Sequence, residues 1–203
     1  SRAIFGDAGD HLELRVVTEA EAAPLLRRGA LDVVAHQLAI TCPARQRFDF
    51  STEYFHAVQR VLVPRTSPAA GIQDLRGKHV CAAAGSDALA TVAAAPSRPI
   101  PVAAPDWNEC MVRFQQGLVD AISGDDVTLL GFTEQDPYAR IVGGKLADEP
   151  YGLAVAPGNP DFVRFLDAVL EQVRAGGRWT ALYERWLGRF GPAPAPPPAE
   201  YRE

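Results

Sequence analysis

The chain has no apolar run approaching the roughly 20 residues that cross a bilayer, so nothing in the sequence reads as a transmembrane helix. Positive charge is scarce too. Lys and Arg number 20 against 25 Asp and Glu, a net charge of −5, which argues against a nucleic-acid footprint. Cysteine is limited to Cys42, Cys81 and Cys110, without CxxC spacing, which argues against a structural zinc site built from them. Three thiols admit one disulfide and one leftover; on the residues alone, buried free thiols are the default reading. The histidines His11, His36, His56 and His79 are scattered and make no metal set. The opening Ser1-Arg2-Ala3-Ile4 lacks the basic segment and apolar run of a signal peptide. That fits either a cytoplasmic chain or a mature or cut-down product.

What is present is an ordinary globular composition. Apolar residues make up 47% and charged residues 22% of 203, which excludes disorder and suits one large domain or two small ones. Residues 12–18 alternate apolar and charged side chains and read as a strand. Thr18 and Glu21 form a capping box for a short helix through Leu25 and Leu26 to Gly29. Residues 31–35 are a second strand, so strand, helix and strand make an α/β unit. A third strand at 58–64 leads into a connector ending at Gly71. The pattern then restarts with strand 78–83, the turn Gly85-Ser86-Asp87, a helix, strand 100–104, helix 108–116 and strand 121–123. A second α/β unit therefore sits inside the chain.

The last third is helical. Asn159-Pro160-Asp161 supplies a cap, a first-position proline and an acidic first turn. Phe162, Phe165, Leu166, Val169, Leu170 and Val173 recur at helical spacing up to Gly176-Gly177. Trp179, Leu182, Tyr183, Trp186 and Leu187 repeat that spacing to Gly188, and both stripes read as core-facing. Residues 192–198 alternate and then stack proline, an extended polyproline II tail that serves as spacer or strap.

Several runs together resemble family 3 of the extracytoplasmic solute-binding proteins, the amino-acid receptors of ABC importers. In the first part they are Gly29-Ala30-Leu31-Asp32-Val33-Val34-Ala35, Ile40-Thr41, and Phe50-Ser51 with Tyr54. In the second they are Asp74-Leu75-Arg76-Gly77-Lys78, Gly85-Ser86, Gly117-Leu118-Val119-Asp120-Ala121 and Asp125-Asp126. Glu149-Pro150-Tyr151-Gly152 and the run from Arg178 to Gly188 complete the order. Each motif is weak singly; together they cover nearly the whole chain. The cysteine contexts and the Pro-rich end look most like the actinobacterial glutamate-binding lipoprotein branch.

The resemblance implies an α/β, two-lobed periplasmic-binding-protein clamp of type 2. Lobe 1 falls at 1–63 and 153–188, lobe 2 at 66–148, hinge crossovers at 64–65 and 149–152, and a Pro-rich tail at 189–203. In the family about 50 residues precede what is here Ser1, so lobe 1 is expected to be incomplete at its N-terminus. The missing strand would lie between residues 12–18 and 31–35, costing each neighbour about 0.5–1.5 kcal/mol per lost hydrogen bond. The implied protein is an extracytoplasmic monomer, lipid-anchored when full-length, with an amino-acid ligand, a membrane permease as partner, and no cofactor, metal or nucleic acid.

The resemblance also implies a set of ligand-binding residues. A family arginine clamps the ligand carboxylate, a bidentate geometry that lysine cannot copy. The ungapped match puts Ala44 there and Arg45 one residue later, so Arg45 serves only if residues 42–44 bulge; otherwise it is a solvated surface side chain. Ala39 replaces a hydroxyl-bearing residue, and Gln37 can offer its amide instead. Thr41 is either a contact or structural. Gly85 and Ser86 open a helix whose free N–H groups suit a carboxylate. Asp87 stands where the family usually has Thr and would repel an acidic ligand. Asp125 is placed for the ligand ammonium, with Asp126 free to cap the following helix. Trp107 and Asn108 can line the pocket, and His36 reads as structural. In an oxidising compartment Cys81 and Cys110 pair, leaving Cys42 alone. Two other readings stay open: a sensing or degenerate module of the same fold, and a cyclohexadienyl-dehydratase-like enzyme. The second lacks a closely spaced acid–base pair.

Overall fold

Small and β-branched residues, punctuated by glycine turns, build a chain of alternating strands and helices. The computed structural model describes residues 12–201. Helix α1 spans Glu19–Arg27, and strands β1 and β2 span Asp49–Phe50 and Phe55–Pro64. Then come β3 (His79–Ala83), α2 (Asp87–Ala94), β4 (Ile100–Ala104) and α3 (Trp107–Gln115). They are followed by β5 (Ala121–Asp125), α4 (Asp126–Gln135), β6 (Ala139–Tyr151) and β7 (Ala154–Val155). Helices α5 (Pro160–Ala175) and α6 (Arg178–Leu187) close the sequence of elements. The chain divides into two units, one holding residues up to His56 and from Pro150 onward, the other Ala57–Glu149.

The second unit is a five-stranded sheet in the order β4-β3-β5-β2-β6. β3 runs parallel to both β4 and β5, while β2 is antiparallel to β5. The central strand β5 is buried along its whole length, as expected for a strand covered on both faces. One face carries Leu62, Cys81 and Ile122 against Met111 and Phe114 of α3 and Leu129 and Phe132 of α4. The other carries Val61, Val63, Val80 and Ala121 against Val92 of α2 and the connector residues Ala69 and Leu75. Period-two alternation sorts the two cores. A disulfide joins Cys81 on β3 to Cys110 on α3, and Cys42 is an exposed free thiol.

The first unit is built from two separate stretches of chain. Its only ladder among the described residues is β1 with β7, extended by isolated bridges from Val34 to Ala154 and from Ala39 to Tyr151. Its core gathers Ala22, Ala23 and Leu26 of α1 with Val34, Leu38, Ala44, Phe48, Phe50 and Ala154. Phe55 stacks on Tyr151, Trp179 and Tyr183, and the Trp179 Nε1–H donates to the Tyr54 carbonyl at 2.7 Å.

The structure departs from the sequence reading in several places. Residues 12–18 form no strand: they enter no ladder, and Leu14 and Val16 are 85% and 101% exposed. Alternation alone cannot hold a strand without a neighbour to take its hydrogen bonds. For the same reason residues 31–35 shrink to the single bridge at Val34. Between these two segments lies a cavity of about 580 Å³, lined mainly by Leu12, Leu14, Val16, Leu31, Val33 and Leu166. The longest strand, β6, has no counterpart in the sequence reading, because Gly143, Gly144, Lys145, Asp148 and Glu149 dilute its apolar pattern. It lies at the sheet edge, where such residues are tolerated. Residues 57–63, read with lobe 1, pair through 59–62 with β5 and so belong to the second unit. Helices α5 and α6 sit where expected, yet their apolar stripes are only half covered: Phe165, Leu182 and Trp186 stay 44%, 49% and 67% exposed.

Candidate functional site

Parallel strands β3 and β5 are adjacent, so the loops that leave them emerge at the same edge of the sheet. In open α/β sheets that carboxyl edge is where small ligands dock. Gly85 follows β3 with φ of +87°, a left-handed turn that a side chain would strain, and it delivers the chain into α2. Ser86 occupies the cap position, but its hydroxyl donates back to the Ala83 carbonyl at 2.7 Å and makes no cap bond. Serine is a natural cap residue, yet here the hydroxyl is spent on the turn. The Asp87 and Ala88 N–H groups consequently have no acceptor among the described residues. Asp87 itself is exposed in that first turn.

Asp125 ends β5 and is 2% exposed. It caps α4, its Oδ1 accepting from the Thr128 N–H at 2.9 Å. Capping therefore falls to Asp125, whereas Asp126 accepts from the Val58 N–H at 3.3 Å. Burial is the main influence on Asp125 and pushes its carboxyl above the ordinary carboxylate range. The Thr128 hydrogen bonds oppose that shift, and the neighbouring Asp126 charge adds to it. Ser123 and Asp125 share the sheet face that α2 covers, because alternate residues of a strand point the same way. The free N–H groups of α2 and the buried Asp125 carboxyl, which has no ion-pair partner among the described residues, thus lie on one face of one unit.

Between them is a residue that the sequence reading treated only as part of a strand. Gln59 stands opposite Asp125 in the ladder and is 0% exposed. Its Nε2 donates to the Ala88 carbonyl at 3.3 Å and to the Ser123 hydroxyl at 2.8 Å. The one sequence signal for it is polarity at an inward position, with Gln59 in step with Val61 and Val63. Trp107 lies on the opposite face, half-buried, its ring so close to Gly124 that an added Cβ would sit 2.8 Å away. Trp107 is thus a packing residue behind Asp125, and Asn108 beside it is exposed.

The first unit holds the other three residues. Thr41 Oγ1 accepts from the Ala44 N–H at 3.3 Å, bracing the single 3-10 turn Ala44–Gln46. That turn buries Ala44 in the core and leaves Arg45 exposed. Arg45 borders a cavity of about 460 Å³ with Asp49, Thr52, Asp167 and, from the tail, Glu200 and Tyr201. The tail reaches this place as a strap, with Pro197 buried. Gln37 is half-buried, and its N–H donates to His36 Nδ1 at 2.7 Å. His36 takes that structural role, and its carbonyl accepts from the Tyr54 hydroxyl. No cluster of three or more potential metal ligands exists among the described residues.

Known proteins agree with this architecture. The chain is 26% identical over 185 residues to the ABC transporter glutamine-binding protein GlnH of Bacillus subtilis, covering 91% of this chain and 67% of that one. It is 25% identical over 204 residues to the glutamate-binding protein GluB of Corynebacterium glutamicum, covering 91% and 66% respectively. The chain therefore spans about two thirds of the length of these relatives. An ancestral arginine-binding protein bound to glutamine superposes with a TM-score of 0.82 at 30% identity, covering 92% of this chain and 84% of that one. The family model for bacterial extracellular solute-binding proteins, family 3, matches residues 1–189, and the chain belongs to that family.

Proposed function

We propose that the protein captures a polar amino acid of the glutamine, glutamate or aspartate kind and delivers it to an ABC importer. The observation that carries this reading is the pairing, on one sheet face, of unsatisfied α2 N–H groups with the buried Asp125 carboxylate. An α-amino acid is a zwitterion, and it needs a donor set for its carboxylate and an anion for its ammonium. A buried carboxylate with no cation is costly, and an ammonium relieves that cost. Relatives named for binding glutamine and glutamate support the ligand class. Within that class, the exposed Asp87 in the first turn of α2 favours the neutral amide over a second carboxylate. In this reading the two lobes close on the ligand about their crossovers, and the closed form engages a membrane permease outside the cytoplasm, where a lipid anchor holds the receptor.

A thermal-shift screen of the full chain against the common amino acids tests the proposal. Ligand at a hundred times its dissociation constant adds about 2.7 kcal/mol, which raises the midpoint by several degrees. A shift with glutamine or its relatives that vanishes in Asp125→Ala supports the reading. A flat screen on folded protein sinks it and favours the sensing or degenerate module, to which the exposed Asp87 and the alanine at position 39 already point.

A further inference from the structure

Gln59 is wholly buried in the second unit, and both amide hydrogens are committed, one to Ala88 on α2 and one to Ser123 on β5. Its Oε1 accepts no hydrogen bond and is shut away from solvent. Buried polar atoms are nearly always paired, so an orphaned acceptor in the middle of a sheet calls for a reason. Packing supplies none: a leucine would occupy similar space beside Val61 and Val63 and leave nothing unsatisfied. What the glutamine does, and a leucine cannot, is tie the first turn of α2 to β5. The Ser123 hydroxyl donates onward to the Arg60 carbonyl at 3.3 Å, so the link is anchored on β2 as well.

The two ends of this link are the two groups that matter for a ligand. One end is Ala88, whose N–H is among the free donors of α2. The other is β5, two residues before Asp125, and Asp125 faces Gln59 directly in the ladder. We infer that Gln59 is a positioning residue that sets the spacing between the α2 donors and Asp125, and with it the amino-acid backbone geometry that the second unit accepts. This inference rests on the reading of the chain as an amino-acid receptor. The unpaired oxygen is then a stability sacrifice retained for geometry, which is where local rules are expected to break.

The full chain is titrated calorimetrically with L-glutamine, L-glutamate and L-arginine, with thermal midpoints read alongside. Gln59→Leu is expected to keep or raise the midpoint while weakening the binding of whichever ligand the wild type takes by about tenfold or more. Ser123→Ala, which cuts the β5 end, weakens it in the same direction by a smaller factor. Because Gln59 acts through the placement of Asp125, Gln59→Leu in an Asp125→Asn background changes affinity by less than about twofold, whereas independent damage would add in full. Unchanged affinity in Gln59→Leu, or full additivity in the double variant, overturns the inference and leaves the receptor reading intact. Wild-type protein that binds none of the three overturns both. If Gln59→Leu does not fold, Ser123→Ala in the same Asp125→Asn cycle decides the question by the same criteria.

Discussion

The two units of the chain are held together in opposite ways. The second is one continuous stretch, with five strands, a buried centre, a core on each face and a disulfide between strand and helix. The first is assembled from two distant stretches, with a two-stranded ladder, isolated bridges and helices whose apolar stripes are half exposed. The difference lies in backbone pairing. Each strand of the second unit has a partner that takes its hydrogen bonds, so apolar side chains are carried to the core in register. In the first unit, residues 12–18 have the alternation of a strand and no partner strand among the described residues, and Leu12, Leu14 and Val16 remain exposed. Sequence pattern is necessary for a strand, and a neighbour decides whether it forms.

The comparison breaks most sharply at the disulfide. Cys81 and Cys110 close a loop with a sequence separation of 29, and removing the bridge is expected to cost the second unit about 3–4 kcal/mol by the loop-entropy account. The three tryptophans divide usefully, with Trp107 in the second unit and Trp179 and Trp186 in the first. Urea unfolding of single-tryptophan variants with and without dithiothreitol should shift only the Trp107 transition. Equal shifts of both would show that the units unfold as one.

Acidity gives the next effect. The Asp125 carboxyl is raised in the folded protein above its ordinary value of 3.8, chiefly by burial. Its contribution to stability is therefore full below the unfolded value and is lost as pH rises through the higher native one, by up to about 1.4 kcal/mol per pH unit. A bound ammonium favours the ionised form, so ligand affinity should fall as pH drops through that same raised value, above the range where ordinary carboxylates titrate. Thermal midpoints and calorimetry between pH 4 and 8 would show both slopes, and Asp125→Asn should flatten them.

The smallest effect concerns the first unit. Trp179→Phe keeps the aromatic stack on Phe55 and Tyr183 but removes the bond to the Tyr54 carbonyl. A loss of about 0.5–1.5 kcal/mol is expected, confined to the transition reported by Trp186. A loss appearing at Trp107 instead would mean that Tyr54, near the crossover, couples the units.

Much of this was legible in the residues. Helix limits followed from Asn159-Pro160 and the glycines at 176 and 177, since caps act locally. The strands read at 78–83, 100–104 and 121–123 followed from short apolar runs between turn residues, and the last runs on to Asp125. β6 was not legible, because an edge strand needs no continuous apolar face and its glycine and charged residues read as a loop. Among candidate site residues, the family resemblance singled out Asp125 and the Gly85-Ser86 turn, which lie at the end of β5 and just before α2. Gln59 escaped notice because one polar residue in a strand has no meaning until its cross-strand neighbour is known.

By itself the sequence determined the class of the protein, most of the elements of the second unit, and the N-terminal caps of α1 and α5, because each depends on residues a few positions apart. It also carried the family, through motifs whose order spans the chain. Only the tertiary structure decided which alternating segment became a strand and that Gln59 joins α2 to β5 opposite Asp125. Those outcomes depend on partners dozens of residues away, and hydrogen bonds at that range are set by sheet register rather than by local preference.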